Sequence, residues 1–292
     1  MLINSVLLSG SHGFKPAGYI YFMTTRQPVV AGMFYYQNKK ILSAELKKFF
    51  TNIKTKPESS IVISPHAGYI YSGRTAAAAI SSLKPADVFI MLGPNHTGIG
   101  LGFSIMGSGS WKTPLGDAEI DQNLADALKK KCAFLEEDEG AHANEHSIEV
   151  QMPFLQYRFG KIRFVPVCIN QEISCQEFAK KCIKLGEAIA DLSGNSRISV
   201  VASSDFSHYV PLDAAEKQDG MAIKEIKKLD VSGFFKTIEE NNVSVCGFGP
   251  IAAAMAAAKK LGLKAEVISS SSSGDETGDF SSVVAYYAIS FK

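Results

Sequence analysis

The 292-residue sequence is poor in cysteine, with five residues and no Cys-x-x-Cys pair. An odd and scattered set, Cys132, Cys168, Cys175, Cys182 and Cys246, argues against a disulfide framework and reads as reduced thiols in a cytoplasmic protein. Four of the five read as small core or helix residues. The chain also lacks any window near the roughly 18 consecutive apolar residues that a membrane span requires. Neither sign of charge dominates: 30 Lys plus Arg face 29 Asp plus Glu, and the formal charge of +1 leaves no electrostatic footprint for nucleic acid or an anionic membrane. Small molecules or proteins are the expected partners. Repeats of solenoid length are absent, and the serine run at 269–273 is too short for a linker. The opening Met1-Leu2-Ile3-Asn4-Ser5-Val6-Leu7-Leu8 has no basic leader ahead of its short apolar run, which argues against a secretory signal. Met23, followed by Thr24-Thr25-Arg26-Gln27-Pro28, is the expected start of the folded part, with residues 1–22 as an extension of no assigned role.

What the chain has in quantity is apolar material, 46% of its residues, enough for a large buried core in one α/β domain over residues 23–292. The organising stretch is Ile61-Val62-Ile63-Ser64-Pro65-His66-Ala67-Gly68-Tyr69, a β-branched strand stopped by Pro65 and Gly68 with a histidine on the turn. The layout recurs as Val88-Phe89-Ile90-Met91-Leu92-Gly93-Pro94-Asn95-His96 and as Ile198-Ser199-Val200-Val201-Ala202-Ser203-Ser204-Asp205-Phe206-Ser207-His208. Between the first two, Arg74 to Leu83 carries a strong helix signal, so strand, helix and parallel strand form a crossover unit that brings His66 and His96 to one sheet edge.

Elsewhere the chain alternates between the two periods. Leu42, Leu46, Phe49, Phe50 and Ile53 fall at helical spacing, as do residues from Asp121 to Lys130, from Cys175 to Leu192, from Ala214 to Leu229 and from Val231 to Glu240. An alanine-rich helix runs to Lys260, and a short one presents Met152, Leu155 and Phe159 on one face. Val29 to Tyr35 is a short apolar run. Strands are expected over Leu101 to Met106, Arg163 to Ile169, Ala265 to Ser270 and Ser281 to Phe291. The whole reads as α/β, a central and largely parallel β-sheet flanked by helices. The proline-glycine loop around the lone Trp111 suits either a lid over a pocket or an aromatic clamped by the core. Tyr69 and Tyr71 suit either a pocket wall or a packed aromatic face.

In such sheets ligands collect where strand carboxyl ends meet. Two strand-end histidines plus an anionic group make a three-ligand metal site with an open position, and Cys246, Asp205 and Glu145 are the candidates for the third donor. Cys246 precedes a helix among Gly247, Gly249 and Pro250, where amide dipoles favour thiolate. Asp205 and His208 can hydrogen-bond, the carboxylate fixing the imidazole tautomer, an arrangement suited to a general acid or base. Glu145 and His146 with Glu149 can do the same, although Ser147 and Glu149 also read as a plain helix cap.

The segments Pro65-His66-Ala67-Gly68-Tyr69, Gly93-Pro94-Asn95-His96, Trp111 to Gly116, Glu145-His146-Ser147-Ile148-Glu149-Val150-Gln151, Ser203 to His208 and Cys246-Gly247-Phe248-Gly249-Pro250-Ile251 together resemble the MEMO family. That family includes the AmmeMemoRadiSam system protein B, and the resemblance covers roughly Arg26 to Lys292. It implies an α/β domain similar to class III extradiol dioxygenases, whose non-heme iron is held by two histidines and a glutamate. By the same resemblance His66 and His96 correspond to the two histidine ligands, Cys246 to the third metal-binding residue, and Asp205 and His208 to the pocket acid and histidine. A thiol in place of the carboxylate softens the site toward copper or zinc. Animal members are described as mediators of cell motility that bind phosphotyrosine peptides or handle iron and copper. Prokaryotic members are grouped with a radical SAM protein and an AMMECR1-like protein, which are the expected pathway partners.

The expectation is therefore a metal-dependent, dioxygenase-like redox enzyme acting on a small substrate. His66, His96 and Cys246 would hold iron or copper, with zinc as the alternative, and His208, Asp205, His146 and Glu145 would serve the chemistry. Two other readings use the same crevice: a binding module for a peptide or protein partner, and a metal-dependent hydrolase.

Overall fold

A computed structural model describes residues 24–170, 176–194 and 197–292. The expected extension over residues 1–22, and Cys175, lie outside the described residues. In chain order the elements are β1 (Thr25–Arg26), α1 (Lys39–Phe50), β2 (Ile61–Ser64), α2 (Tyr69–Ser82), β3 (Val88–Pro94), β4 (Phe103–Ile105), β5 (Ser110–Thr113) and β6 (Gly116–Ile120). They continue with α3 (Gln122–Lys131), β7 (Glu136–Glu137), α4 (Gly140–Ala143), a 3-10 turn at Glu149–Gln151, α5 (Met152–Phe159), β8 (Arg163–Ile169), α6 (Gln176–Ser193) and β9 (Ile198–Ser203). The last part holds β10 (His208–Val210), α7 (Leu212–Lys228), α8 (Val231–Glu240), α9 (Phe248–Lys260), β11 (Ala265–Ser272), α10 (Gly274–Thr277) and β12 (Val283–Phe291).

Strands β2, β3, β8 and β9 read as nearly unbroken apolar runs because both of their faces are covered, the pattern of parallel strands between helix layers. Their side chains alternate between two cores. Ile61, Ile63, Ile90, Leu92, Val165, Val167, Val200 and Ala202 point to one face, under α3, α6, α7, α8 and α9. Val62, Phe89, Met91, Phe164 and Val201 point to the other, under α1, α2 and α5. A single-residue register slip in any of these strands would exchange the two sets, so each strand is locked from both sides.

The main sheet path is β1-β5-β6-β8-β3-β9-β2-β12-β10, with β6, β8, β3, β9 and β2 parallel and β12 antiparallel to β2. The expected α/β fold with a largely parallel, helix-flanked sheet is thus present. The sequence places β2 and β3 in one crossover unit, and the structure adds that β9 lies between them, paired in parallel with each. The three strands that release histidines are therefore consecutive neighbours, and their carboxyl ends share one edge.

The structure decides three local points. Val29 to Tyr35, the short apolar run, forms turns closed by a single bridge between Ala31 and Tyr35. Trp111 is no lid: it lies on β5, 1% exposed, with the Arg26 guanidinium 4.2 Å over its ring and its indole N–H donating to Met106 Sδ at 3.3 Å. Tyr69 is buried and packed, its hydroxyl donating to the Val150 carbonyl at 2.7 Å, whereas Tyr71 is exposed. No helix among the described residues is long and apolar enough to cross a membrane.

The layer behind the sheet depends on α6 and α9 lying almost backbone to backbone, with Gly186 of α6 against the alanines of α9. A Cβ at 186 would overlap the Ala253 carbonyl and the Ala256 side chain. Glycine to alanine inside a helix ordinarily stabilises by about 1 kcal/mol. Here Gly186→Ala is expected to destabilise by about 1–3 kcal/mol through overpacking, read as a lower midpoint in urea unfolding.

Candidate metal centre

The residues that end the three neighbouring strands converge. His66 sits in the Pro65–Gly68 turn after β2, buried at 2% exposure. His96 follows β3 by two residues and opens to solvent. Cys246 arrives from the other side, just ahead of α9, and Gly247 permits the approach, since a Cβ there would overlap the Ser203 carbonyl and the Ser204 side chain. The donor atoms of His66, His96 and Cys246 lie within 4.8 Å of one another, with His66 Nε2 3.2 Å from Cys246 Sγ. The structure thus brings together all three expected metal donors.

Hydrogen bonding fixes which nitrogen each imidazole offers. Ser203 has one hydroxyl proton, which goes to the Ser147 carbonyl at 2.7 Å, because a carbonyl can only accept. Ser203 Oγ must then accept from His66 Nδ1 at 2.9 Å, and the Nε2 lone pair is left pointing at Cys246. Gln151 completes the hold, donating to Ser203 Oγ at 2.9 Å and to the Pro65 carbonyl at 2.8 Å while accepting from Ser64 Oγ at 2.8 Å. For His96 the orienting group is Glu145, whose Oε1 accepts from His96 Nδ1 at 2.9 Å. The same carboxylate accepts the backbone N–H groups of His96, His146 and Ser147. A carboxylate holding a ligand imidazole by its far nitrogen is a recurrent support for metal binding.

The charge states suit ligation. Burial, reinforced by the neighbouring imidazoles, holds His66 well below the ordinary histidine range, so the ring is neutral. Burial lowers His146 and His208 as well. For Glu145 burial acts upward, but the His96 hydrogen bond, the nearby imidazoles and the Ser147 N–H together bring its carboxyl down to about 2. Burial pushes the Cys246 thiol well up, the Asp205 carboxylate adds to this, and the Asp205 N–H on Sγ at 3.1 Å opposes it. A cation arriving at the triad must therefore displace a thiol proton. Burial raises Asp205 to about 7, with the His66 N–H on Oδ1 at 2.8 Å as the counterweight.

Asp205 and His208 form a second group with Cys246, and the three donor atoms again fall within 4.8 Å of one another. The tautomer of His208 is set by the Ser244 carbonyl, 2.8 Å from Nδ1, and not by Asp205 as its spacing suggested. His146 stacks on His96 with ring centroids 4.7 Å apart and touches the Phe34 ring at 4.9 Å. Glu145 has both oxygens occupied by donors, so its geometry is that of an orienting group. Ser147 is not a helix cap: its hydroxyl donates to the Pro94 carbonyl at 2.9 Å. Glu149 instead joins a buried clamp, 2.8 Å from Arg26, accepting the N–H groups of Val29 and Val30 and the Tyr35 hydroxyl. Arg26 carries the clamp to the site by donating to the Glu145 carbonyl at 2.7 Å.

Sequence reasoning missed Ser203, Gln151, Ser244 and Arg26. One signal was available: Ser64 and Ser203 end otherwise apolar strands, and a buried serine there needs a partner. Nothing local marked Gln151, Ser244 or Arg26. The donor set, two neutral imidazoles of fixed tautomer and a sulfur, fits a borderline or soft ion such as zinc, copper or ferrous iron.

Ser203→Ala is expected to weaken metal binding about 10–100-fold by releasing the His66 tautomer while leaving the fold intact, measured by competition with a chelating dye. A second outcome concerns Asp219 of α7, fully buried, whose carboxylate accepts from Ser207 Oγ at 2.7 Å and from the Ser207 N–H. Burial raises it to about 6 from 3.8, so the folded state holds a proton that the unfolded chain has released. Its stabilising contribution is complete below about pH 4 and is lost as pH rises through about 6, amounting to about 3 kcal/mol. Urea unfolding at about pH 4 and pH 8 should show wild type losing stability relative to Asp219→Asn by about that amount.

The comparisons with known proteins agree with this architecture. A family model described as Memo-like protein matches residues 26–290. A MEMO1 family protein of Methanosarcina barkeri is 42% identical over 269 residues, covering 90% of this chain and 98% of its own. One from Sulfolobus acidocaldarius is 41% identical over 285 residues, covering 91% and 99%. Among solved structures, an uncharacterized protein of Escherichia coli K12 superposes with a TM-score of 0.54 at 13% identity, over 78% of this chain and 98% of that one, a likeness of fold alone. On the family model and on relatives matched over nearly their full length, the chain belongs to the MEMO1 family.

Proposed function

We propose that the protein is a metal-dependent, dioxygenase-like redox enzyme in which His66, His96 and Cys246 hold iron or copper and a small substrate binds beside them. The observation that carries this reading is the convergence of two imidazole donors of fixed tautomer and one sulfur on a common point. When bound, the ion supplies Lewis acidity and a one-electron redox partner.

The chain's own groups supply the rest. Ser203 and Glu145 keep both ligand imidazoles aimed without rearrangement, a form of preorganisation that costs nothing at the moment of reaction. His96 is the open side of the triad, with a third of its side chain exposed, and it marks the substrate's entry. His208, its Nδ1 spent on Ser244, presents Nε2 as a proton acceptor. Asp205, raised to about 7, exchanges a proton near neutrality beside it. The stacked His146 packs against one face of His96. The partner-binding alternative loses two of its supports, since Tyr69 and Trp111 are both buried in the core.

Element analysis of untagged protein purified without oxygen is expected to return close to one iron or copper per chain, and His66→Ala and His96→Ala to lose it. Zinc at the same stoichiometry would move the reading to a hydrolase. Metal content unaffected by either substitution would remove its basis.

A further inference from the structure

We propose that the cavity between the turn after β1, helix α1 and the start of α2 is a binding site for a methylated ammonium cation. None of the residues argued below belongs to the metal centre, and the inference stands whether or not that centre holds a metal.

The cavity measures about 200 Å³ and is walled by Met33, Tyr35, Tyr36, Tyr69, Ile70 and Glu45. Sites for drug-sized ligands run to roughly 300–1,000 Å³, so the occupant here is a small head group. The Tyr35 and Tyr69 rings lie 5.3 Å apart between centroids. Their hydroxyls are spent elsewhere, on Glu149 and on the Val150 carbonyl, so what these two residues offer the cavity is ring surface. The charge comes from Glu45 of α1. Its Oε2 is buried and has no hydrogen-bond partner among the described residues. Burial raises the carboxyl and only Lys48, nearly one helical turn on, opposes this. A buried carboxyl oxygen left unpaired is a standing cost that an arriving cation removes.

The walls decide which cation. A hard divalent ion takes about six or more oxygen ligands, and these walls are mostly carbon with one thioether. A primary ammonium brings three N–H donors that each need an acceptor. With Tyr35 and Tyr69 engaged, the side chains of the cavity offer it only Glu45 and Tyr36. A quaternary ammonium carries its charge on methyl groups and has no N–H to satisfy, so aromatic rings plus one carboxylate are sufficient partners. The mouth matches that occupant, because Met33 is 73% exposed, Ile70 59% and Tyr36 50%, apolar surface left bare where methyl groups enter. The walls are also held in place in advance. The Gly32 N–H donates to the Tyr35 carbonyl at 2.7 Å, and the Tyr69 N–H ties the turn to α2 through the Phe34 carbonyl at 2.8 Å. Glu149 anchors the base of the turn by the N–H groups of Val29 and Val30. Little ordering remains to oppose binding.

Calorimetric titration of the full-length protein with choline at fixed ionic strength tests the site. The control is choline's neutral isostere, in which a tert-butyl group replaces the trimethylammonium. Wild type should bind choline saturably and about tenfold more tightly than the isostere. Glu45→Gln should lose about that factor for choline and nothing for the isostere. Tyr36→Leu, at an exposed rim position, keeps apolar area but removes the ring, and should weaken choline alone by a smaller factor. A further arm uses the acetylated amide of trimethyllysine: tighter binding than choline identifies a partner protein's side chain as the source of the cation, and weaker binding a free small molecule. No saturable binding of choline, equal affinity for choline and its isostere, or a choline affinity that survives both substitutions overturns the proposal. Should Glu45→Gln fail to fold, the isostere comparison and Tyr36→Leu decide it.

Discussion

A single hydroxyl proton constrains much of this centre. Ser203 can donate once, and the Ser147 carbonyl at 2.7 Å takes that proton. His66 is thereby obliged to donate from Nδ1, and its other nitrogen is committed to the cluster. The same bond ties the end of β9 to the segment that carries Glu145 and His146, so the two supports of the two ligand imidazoles are mechanically one unit. Gln151 extends that unit to the turn after β2. Replacing any member leaves a buried donor or acceptor without a partner, a cost of about 1–3 kcal/mol, which is a reason for such networks to be complete or absent.

The strand order explains why the network is possible. With β9 between β2 and β3, residues that leave all three strands arrive at one edge from consecutive positions, and hydrogen bonds between their loops need reach only one interstrand spacing, about 4.8 Å. Burial then does the electrostatic work. It keeps the His66 imidazole neutral and the Cys246 sulfur protonated, so these two donors carry no charge, while the Glu145 carboxylate behind His96 stays ionised.

Most of the scaffold was legible because its signals are local. The runs at β2, β3, β8 and β9 are mostly apolar, and α8 and β8 fall on the residues that periodicity assigns to them. His66, His96 and Cys246 could be singled out because strand ends and glycine-flanked helix starts are where such donors can be exposed to a ligand. The rest was encoded at a distance. Trp111 lies near Pro114 and Gly116 and reads as a loop residue, yet Arg26 draws it into the core. Val29 to Tyr35 reads only as a short apolar run, and nothing within it shows that Glu149 takes its first two N–H groups. The roles of Ser203 and Ser244 depend on which carbonyl or imidazole folding places beside them, and a serine carries no mark of that in its neighbours.

The burial of the single tryptophan under the Arg26 guanidinium makes this protein its own reporter. Arg26 simultaneously grips Glu149 and the Glu145 carbonyl, so the indole senses the integrity of the strut behind His96 rather than the ligand sphere itself. Intrinsic emission can therefore follow loosening of the scaffold separately from metal exchange, which the thiolate absorption records. Two optical channels, one for the frame and one for its contents, are present without a label.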